Sequence, residues 1–164
     1  MKRTVLLCPA ALVSVFLSCG AMSGVPPAKT VHYAPGDRPA RFTGLGSHTR
    51  KITTSSPEAQ RYFDQGLNFL FAFNHDETIR SFREAAAIDP DCAMAYWGIA
   101  VSCGPHINFP MVPPARAKTA WDALTKATSL AQNCTTPEKA LIDALGGRYA
   151  SPEPDNRRPL MRAT

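Results

Sequence analysis

Between residues 58 and 149, apolar side chains recur every three or four positions, which is the period of one helix face. Polar residues fill the positions between them, so the pattern predicts amphipathic helices. The predicted helices cover about 58–73, 75–88, 90–103, 114–132 and 136–149. No segment alternates β-branched and polar residues as a half-buried strand does. The sequence therefore predicts an all-α fold.

Two of the predicted helices share a start signal. In Ser56-Pro57-Glu58, the serine can cap the helix, the proline fits its first turn, and the glutamate favours the positive end of the helix dipole. The same order of hydroxyl, proline and acid returns in Thr136-Pro137-Glu138. These signals fix where the first and the last predicted helices begin.

One window of 34 residues, 59–92, places large, small and proline residues at fixed intervals: Tyr62, Gly66, Phe69, Phe82, Ala85 and Pro90. The small residues let two helices approach closely, and the proline starts the next helix. A second window, 93–134, has Tyr96 and Ala100 at the equivalent positions and a Pro-rich insertion at 104–114. A third, 135–149, has one helix only.

This pattern resembles the tetratricopeptide repeat, a helical hairpin that stacks into a solenoid. The resemblance covers 58–149 and implies about two and a half repeats, with Gln65 and Thr78 in place of the usual leucine and alanine. An unrelated bundle of helical hairpins is the alternative. The resemblance also implies a concave groove lined by first-helix positions: Gln60, Phe63, Leu67, Leu70, Met94, Trp97 and Val101.

The first 23 residues have the order of a secretory signal peptide. Lys2 and Arg3 precede an apolar run at 4–17, which is too short for a stable membrane anchor. The small residues around Cys19 resemble a bacterial lipoprotein box, which implies lipidation of Cys19; an ordinary cleaved signal peptide is the alternative. We expect an exported protein, periplasmic, secreted or a cell-envelope lipoprotein, that meets the membrane only through a lipid on Cys19.

The segments on either side of the predicted helices have a different composition. Residues 24–56 are rich in Pro, Gly and Ser, which is typical of an extended arm. Residues 150–164 are polar and contain three prolines, so we predict a disordered tail.

The charge is also unevenly distributed along the chain. The net charge is +5, but residues 58–150 hold eight Lys or Arg against ten Asp or Glu. A nucleic-acid-binding domain needs clustered positive charge, so nucleic-acid binding is not expected.

Three residues could form a metal- or thiol-containing site at one end of the helices. His75 lies in the turn of the first repeat, and Cys103 and His106 lie in the turn of the second. A metal site needs three or four ligands, whereas Cys103 occupies a core position at which a thiol packs as an apolar group. We therefore expect no metal, no cofactor and no catalytic residue, and we expect that the protein is not an enzyme.

Three functions remain open. The leading prediction is a protein-interaction module whose apolar groove binds a peptide or helix in the cell envelope. The second is a metal- or thiol-dependent protein that uses Cys103, His106 and His75. The third is a structural repeat domain whose groove is filled by its own arm. Because the third repeat has one helix, we also expect either a truncated member of a longer repeat family or a chain that self-associates.

Overall fold

The computed structural model describes residues 37–107 and 110–160. Their helices are α1 Pro57–Phe71, α2 His75–Ile88, α3 Ala93–Ser102, α4 Pro114–Leu130 and α5 Thr136–Gly146, with a short 3-10 helix at Ala131–Asn133. These two ranges contain no strand, so the all-α prediction is confirmed.

The predicted signal peptide, 1–23, lies outside the described residues together with Cys19. Within the residues that are described, no helix combines the length and apolarity needed to cross a bilayer.

The helix ends follow from capping and from backbone conformation. The Ser56 hydroxyl accepts a hydrogen bond from the backbone N–H of Ala59, at 3.2 Å, which satisfies one free donor at the start of α1. α1 ends two residues earlier than predicted, because the turn that follows places Phe73 at φ 59°, in the left-handed region. Asn74 then caps α2 through the N–H of Glu77.

The helices pack as two hairpins, α1 with α2 and α3 with α4, and Phe82 lies at their junction. Its ring is fully buried and stands 5.2 Å, centroid to centroid, from the ring of Phe63. A Cβ atom added to Gly66 would lie 2.8 Å from the Phe82 ring, and one added to Gly98 would lie 2.5 Å from it. Both glycines are therefore needed for α1 and α3 to approach this ring.

The residues predicted as the repeat core are mostly buried. All eight except Pro90 were predicted to pack between helices. Six of those seven are buried: Tyr62, Gly66, Phe69, Phe82, Ala85 and Ala100. Tyr96 is half-buried, and Pro90 is exposed in the turn before α3. That turn delays the start of α3 to Ala93, since the N–H of Cys92 bonds the carbonyl of Asp89 at 3.1 Å.

The described part of the arm, residues 37–56, has no helix and lies along α1. The buried side chain of Gln65 accepts a hydrogen bond from the N–H of Phe42 and donates one to the carbonyl of Ala40, both at 3.0 Å. Asp64 accepts from the N–H of Arg50 at 3.1 Å. A glutamine at the position of a consensus leucine is thus satisfied by the arm that covers it.

The arm also reaches the start of α5 and the end of α2. We call this group of five residues the anchored edge: Thr53, Thr54, Asp89, Thr135 and Glu138. The Glu138 carboxylate, 2% exposed, accepts hydrogen bonds from the backbone N–H and the hydroxyl of Thr53, at 2.7 and 2.6 Å. It also accepts from the N–H and the hydroxyl of Thr135, at 2.8 and 2.7 Å. Thr54 donates to Asp89.

The segment after α5 makes specific contacts in its described part, up to residue 160. Tyr149 is buried and donates its hydroxyl to the carbonyl of Ala100 at 2.6 Å. Arg157 donates to the carbonyl of Arg148 at 2.7 Å, pairs with Glu153, and lies 5.7 Å from the centre of the Tyr149 ring. Arg157 is therefore held against residues 148 and 149, and Tyr149 in turn is hydrogen-bonded to α3. The polar composition of the segment does not reveal these contacts.

Candidate functional site

The residues predicted to line a concave groove do not form an open surface. Phe63, Leu67 and Met94 are buried in the core, and the remaining four are half-buried: Gln60, Leu70, Trp97 and Val101. The indole N–H of Trp97 donates to the carbonyl of Leu141 at 3.1 Å, so α5 lies over this side chain. Neighbouring helices cover much of the space that the repeat geometry assigns to a partner, and the groove stays a prediction.

The arm contacts the predicted groove residue at the start of α1. The amide of Gln60 accepts a hydrogen bond from the N–H of Ile52 at 3.0 Å and donates one to the carbonyl of Arg50 at 2.9 Å. Ile52 is itself buried in the core cluster. This part of α1 is therefore covered by the chain's own segment.

The three candidate residues at the other end of the helices do converge. We call this end the turn edge. It consists of residues 72–74, 103–107 and 110–113 with the first residue of α2, His75. The rings of His75 and His106 are stacked, with centroids 3.4 Å apart and planes at 4°. Their contact places the two connections side by side, as the paired-hairpin geometry predicts.

The loop that carries His106 is fixed by its own backbone and by the end of the chain. Gly104 has φ 101°, a conformation that favours glycine, and a Cβ atom there would lie 3.4 Å from Nε2 of His106. Arg148 donates to the carbonyl of Pro105 at 3.1 Å, and the one hydroxyl proton of Tyr149 is shared between the carbonyls of Gly104 and Ala100. The segment after α5 therefore positions the imidazole of His106.

The stacked histidines line a cavity of about 360 Å³, together with Phe73, Asn74, Asp76, Cys103 and Arg116. The guanidinium of Arg116 pairs with the carboxylate of Asp76 at 2.5 Å, which ties α4 to the start of α2. Two ring nitrogens, Nδ1 of His75 and Nε2 of His106, are buried and have no hydrogen-bond partner among the described residues. The cavity thus contains polar atoms that residues 37–107 and 110–160 leave unsatisfied.

Burial keeps the three candidate side chains neutral. It lowers the pKa of His106 to about 4, with further lowering from His75 and then from Arg116. Burial also lowers the pKa of His75, and it raises the pKa of the Cys103 thiol. At neutral pH each imidazole therefore has one N–H donor and one acceptor nitrogen, and Cys103 carries its proton.

The cavity does not contain a complete set of metal ligands. Across residues 37–107 and 110–160, no group of three or more His, Cys, Asp or Glu side chains could hold a metal ion. Cys103, Cys92 and Cys134 are free thiols. The triad proposed from sequence therefore shares a cavity, but it does not form a three-ligand site.

A feature that the sequence reasoning missed is the exposed apolar surface around this cavity. The large exposed apolar side chains in the described ranges all lie on the turn edge or at its border: Phe71 (63% exposed), Phe73 (60%), Ile107 (85%) and Met111 (72%). Phe73 contacts the ring of His75, at 6.3 Å between centroids. Large apolar residues within two turns were the available signal, since turns usually carry polar residues.

Comparison of the chain with models of known protein families, with characterised proteins and with solved structures finds no match.

Proposed function

We propose that this chain is a non-catalytic protein-interaction module of the cell envelope, and that its partner docks on the turn edge. The observation that supports this proposal is the exposure of Phe71, Phe73, Ile107 and Met111 in neighbouring parts of the molecule. Clustered exposed apolar side chains are typical of binding surfaces, and aromatic residues and methionine are enriched in interfaces.

The chemistry of this surface favours a partner that presents apolar side chains, such as a peptide or an amphipathic helix. Both imidazoles are neutral at physiological pH because burial lowers their pKa values. The Arg116 guanidinium is already paired with Asp76. The turn edge therefore offers apolar contact area and uncharged hydrogen-bonding groups, which suits neither a strongly acidic nor a strongly basic ligand.

The proposed location rests on the first 23 residues of the sequence. Lys2, Arg3 and the apolar run at 4–17 favour export, and a lipid on Cys19 would hold the module at a membrane surface. The turn edge would then be displayed to other envelope proteins. The mass of the native protein tests this part of the proposal, because export predicts a mature chain that begins near residues 19–24.

Site-specific photo-crosslinking in the native cells tests the docking surface. A photoreactive phenylalanine analogue at Ile107 is expected to give a discrete crosslinked species. The same analogue at Gln132, which is exposed in the 3-10 helix that follows α4, is the matched control and is expected to give none. Equal crosslinking from both positions would refute a specific partner site on the turn edge. A product with twice the mass of the chain would identify the partner as a second copy.

A structural role for the arm is the second candidate, and a specific observation favours it. The arm satisfies buried polar groups of α1 and α5, above all the amide of Gln65 and the carboxylate of Glu138. Deletion of residues 25–55 is expected to lower the melting temperature. A deletion variant that remains folded and still crosslinks at Ile107 would favour the interaction module over a purely structural domain.

A further inference from the structure

We propose that the stacked pair of His75 and His106 is an acid-sensitive latch, which is closed at neutral pH and opens when the imidazoles take up protons. Opening separates the two rings and frees residues 104–107, and it thereby removes Ile107 from its place on the turn edge. The consequence for partner binding rests on the proposed function. The opening itself is a property of the purified chain and can be measured without a partner.

The first observation is the geometry of the stack. The two ring centroids are 3.4 Å apart and the planes are parallel within 4°, so the rings meet face to face. Neutral imidazoles can pack in this way, whereas two imidazolium rings would place like charges at the same short distance. His75 belongs to α2, while His106 lies in the connection between α3 and α4. Repulsion is therefore expected to displace the connection rather than the helix.

The second observation is that an added proton has no acceptor in the closed arrangement. A neutral imidazole has one N–H and one acceptor nitrogen, and protonation turns both nitrogens into donors. Nδ1 of His75 and Nε2 of His106 are buried without a hydrogen-bond partner among residues 37–107 and 110–160. A buried donor that stays unpaired costs free energy. Displacement of the loop gives these nitrogens access to water, so protonation favours the open state.

The charged groups around the stack also oppose protonation. The guanidinium of Arg116, on α4, lines the cavity, and that of Arg148, after α5, donates to the carbonyl of Pro105 in the same loop. Among the described residues that line the cavity, Asp76 is the only acid, and it is paired with Arg116. Cys103 adds no charge, because burial raises the pKa of its thiol. Two cations thus face the stack, against one carboxylate that already has a partner.

The pKa of His106 follows from these surroundings. Burial lowers this pKa most, and the neighbouring groups lower it further, in the order His75, Arg116 and Arg148. A hydrogen bond with the backbone of Ser102 acts in the opposite direction, and the resulting pKa is about 4. An imidazole released into water titrates near its ordinary value of about 6.5. Opening of the latch therefore raises the pKa of His106, so protonation and opening favour each other.

His75 responds in the same direction. Burial and then Arg116 lower its pKa, while Asp76 raises it. For both rings the closed state is fully favoured above the ordinary pKa of about 6.5, and this advantage is lost as the pH falls towards the lower pKa of the closed state. The switch thus works between neutral and moderately acidic pH.

The latch connects two parts of the proposed docking surface. Phe73, which is 60% exposed, contacts the ring of His75 with the centroids 6.3 Å apart. Ile107, which is 85% exposed, directly follows His106. While the rings are stacked, these two apolar side chains are held on the same edge of the molecule. Separation of the rings frees Ile107 from this arrangement and divides the surface that a partner would bind.

Trapping of the Cys103 thiol measures how often the latch opens. Cys103 is 2% exposed and lines the same cavity, so a thiol reagent reaches it through the open state. The full chain is treated with a dipyridyl disulfide at about pH 7 and about pH 5, on either side of the ordinary pKa of histidine. Mass spectrometry of the peptide that contains Cys103 follows the reaction, so other cysteines do not interfere. Circular dichroism at both pH values confirms that the chain is folded.

The double variant His75→Phe, His106→Phe is the matched control, because it keeps two aromatic rings and removes both titrating groups. The urea-unfolded parent chain supplies the same reference if the double variant does not fold. We expect the trapping rate of Cys103 in the parent chain, relative to the control, to rise at least about tenfold from about pH 7 to about pH 5, since one unit of pKa difference is tenfold in an equilibrium. His48→Gln removes an imidazole outside the cavity and is expected to behave as the parent chain.

Two outcomes of the trapping experiment would overturn the latch. One is an equal pH dependence in the parent chain and in the control. The other is loss of the effect in His48→Gln, because another imidazole would then be responsible.

Photo-crosslinking from Ile107 at the same two pH values tests the regulation of the partner. We expect most of the crosslinked product to be lost at about pH 5, on the acidic side of the ordinary histidine pKa. A constant yield despite faster trapping of Cys103 would refute control of the partner by the latch. No crosslink at either pH would refute the proposed function alone, and the trapping rates would then decide whether the latch exists.

Discussion

The two ends of the helical stack handle their polar groups in opposite ways. At the anchored edge, the carboxylate of Glu138 is almost fully buried and accepts four hydrogen bonds from Thr53 and Thr135. At the turn edge, His75 and His106 bury ring nitrogens that no other described residue hydrogen-bonds, and large apolar side chains face the solvent. The first end has the features of a structural joint, and the second has those of a binding site.

This difference indicates where the stability of the molecule comes from. Satisfied polar groups in a protected environment hold elements together, whereas unsatisfied groups and exposed apolar area reduce stability unless a ligand covers them. Substitutions at the anchored edge should therefore destabilise the fold. Substitutions at the turn edge should leave the fold intact and affect binding.

The largest expected effect is that of Glu138→Ala at the anchored edge. We expect the free energy of unfolding to fall by about 3 kcal/mol or more, because a hydrogen bond to a charged group contributes about 1.5–3 kcal/mol and four are lost together. Denaturant titration measures this change. Asp143→Ala removes an exposed acid from the same helix and is expected to stay within about 0.5 kcal/mol of the parent chain.

The pH dependence of unfolding is a second test of the stabilisation by Glu138. Burial would raise the pKa of Glu138, but the hydrogen bonds from Thr53 and then Thr135 outweigh it, so the pKa is lowered. The unfolded carboxyl titrates near its ordinary value of about 4.3. The stabilisation is therefore complete above that pH and is lost as the pH falls through the lower pKa of the folded state. A Glu138→Ala chain with the same acid-induced loss would contradict this assignment.

The next effect separates two aromatic residues, one in the stack and one on the turn edge. Trp97→Ala is expected to cost about 2 kcal/mol, less than the ~3–5 kcal/mol typical of a fully buried aromatic, because Trp97 is half-buried and hydrogen-bonded to α5. Phe73→Ala removes an exposed ring and should change stability by about 0.5 kcal/mol at most. Thermal melts in which Phe73→Ala loses more stability than Trp97→Ala would support the groove assignment of Trp97.

The smallest expected effect has the opposite sign. The double variant His75→Phe, His106→Phe keeps two aromatic rings and removes the unsatisfied nitrogens. We expect it to unfold at the same denaturant concentration as the parent chain or to gain about 1 kcal/mol, since a buried unpaired group costs about that much or more. A loss above about 2 kcal/mol would show that the imidazoles stabilise the fold, and the contrast between the two edges would fail.

Local signals in the sequence were sufficient for the helices and for their order. The cap at Ser56 is the predicted one. The last helix begins at the predicted place, but its cap is Thr135, one residue before the predicted Thr136, in a capping box with Glu138. The small residues Gly66 and Ala85 were also apparent from spacing, and both are buried. Gly98, the second glycine against the Phe82 ring, was not predicted. These features depend on neighbours within a few residues, or on one repeated distance between paired helices.

The periodicity of the sequence does not predict long-range contacts. The groove assignment of Trp97 did not include its hydrogen bond to α5, because the position of α5 depends on packing rather than on repeat spacing. Gln65 was recognised only as a departure from the consensus, since its partners are backbone groups of an arm without periodicity. Convergence of His75 and His106 followed from hairpin geometry, but their stacking depends on a loop held by Arg148.

The placement of Phe82 has a consequence for motion. The ring lies between the backbones of Gly66 on α1 and Gly98 on α3, with no room for one additional carbon atom on either side. A ring held in this way can turn over only when both neighbouring helices move away from it in the same instant. Its rotation is therefore tied to a concerted separation of α1 and α3, and the exchange rate of its ring protons is a measure of how often the two hairpins part.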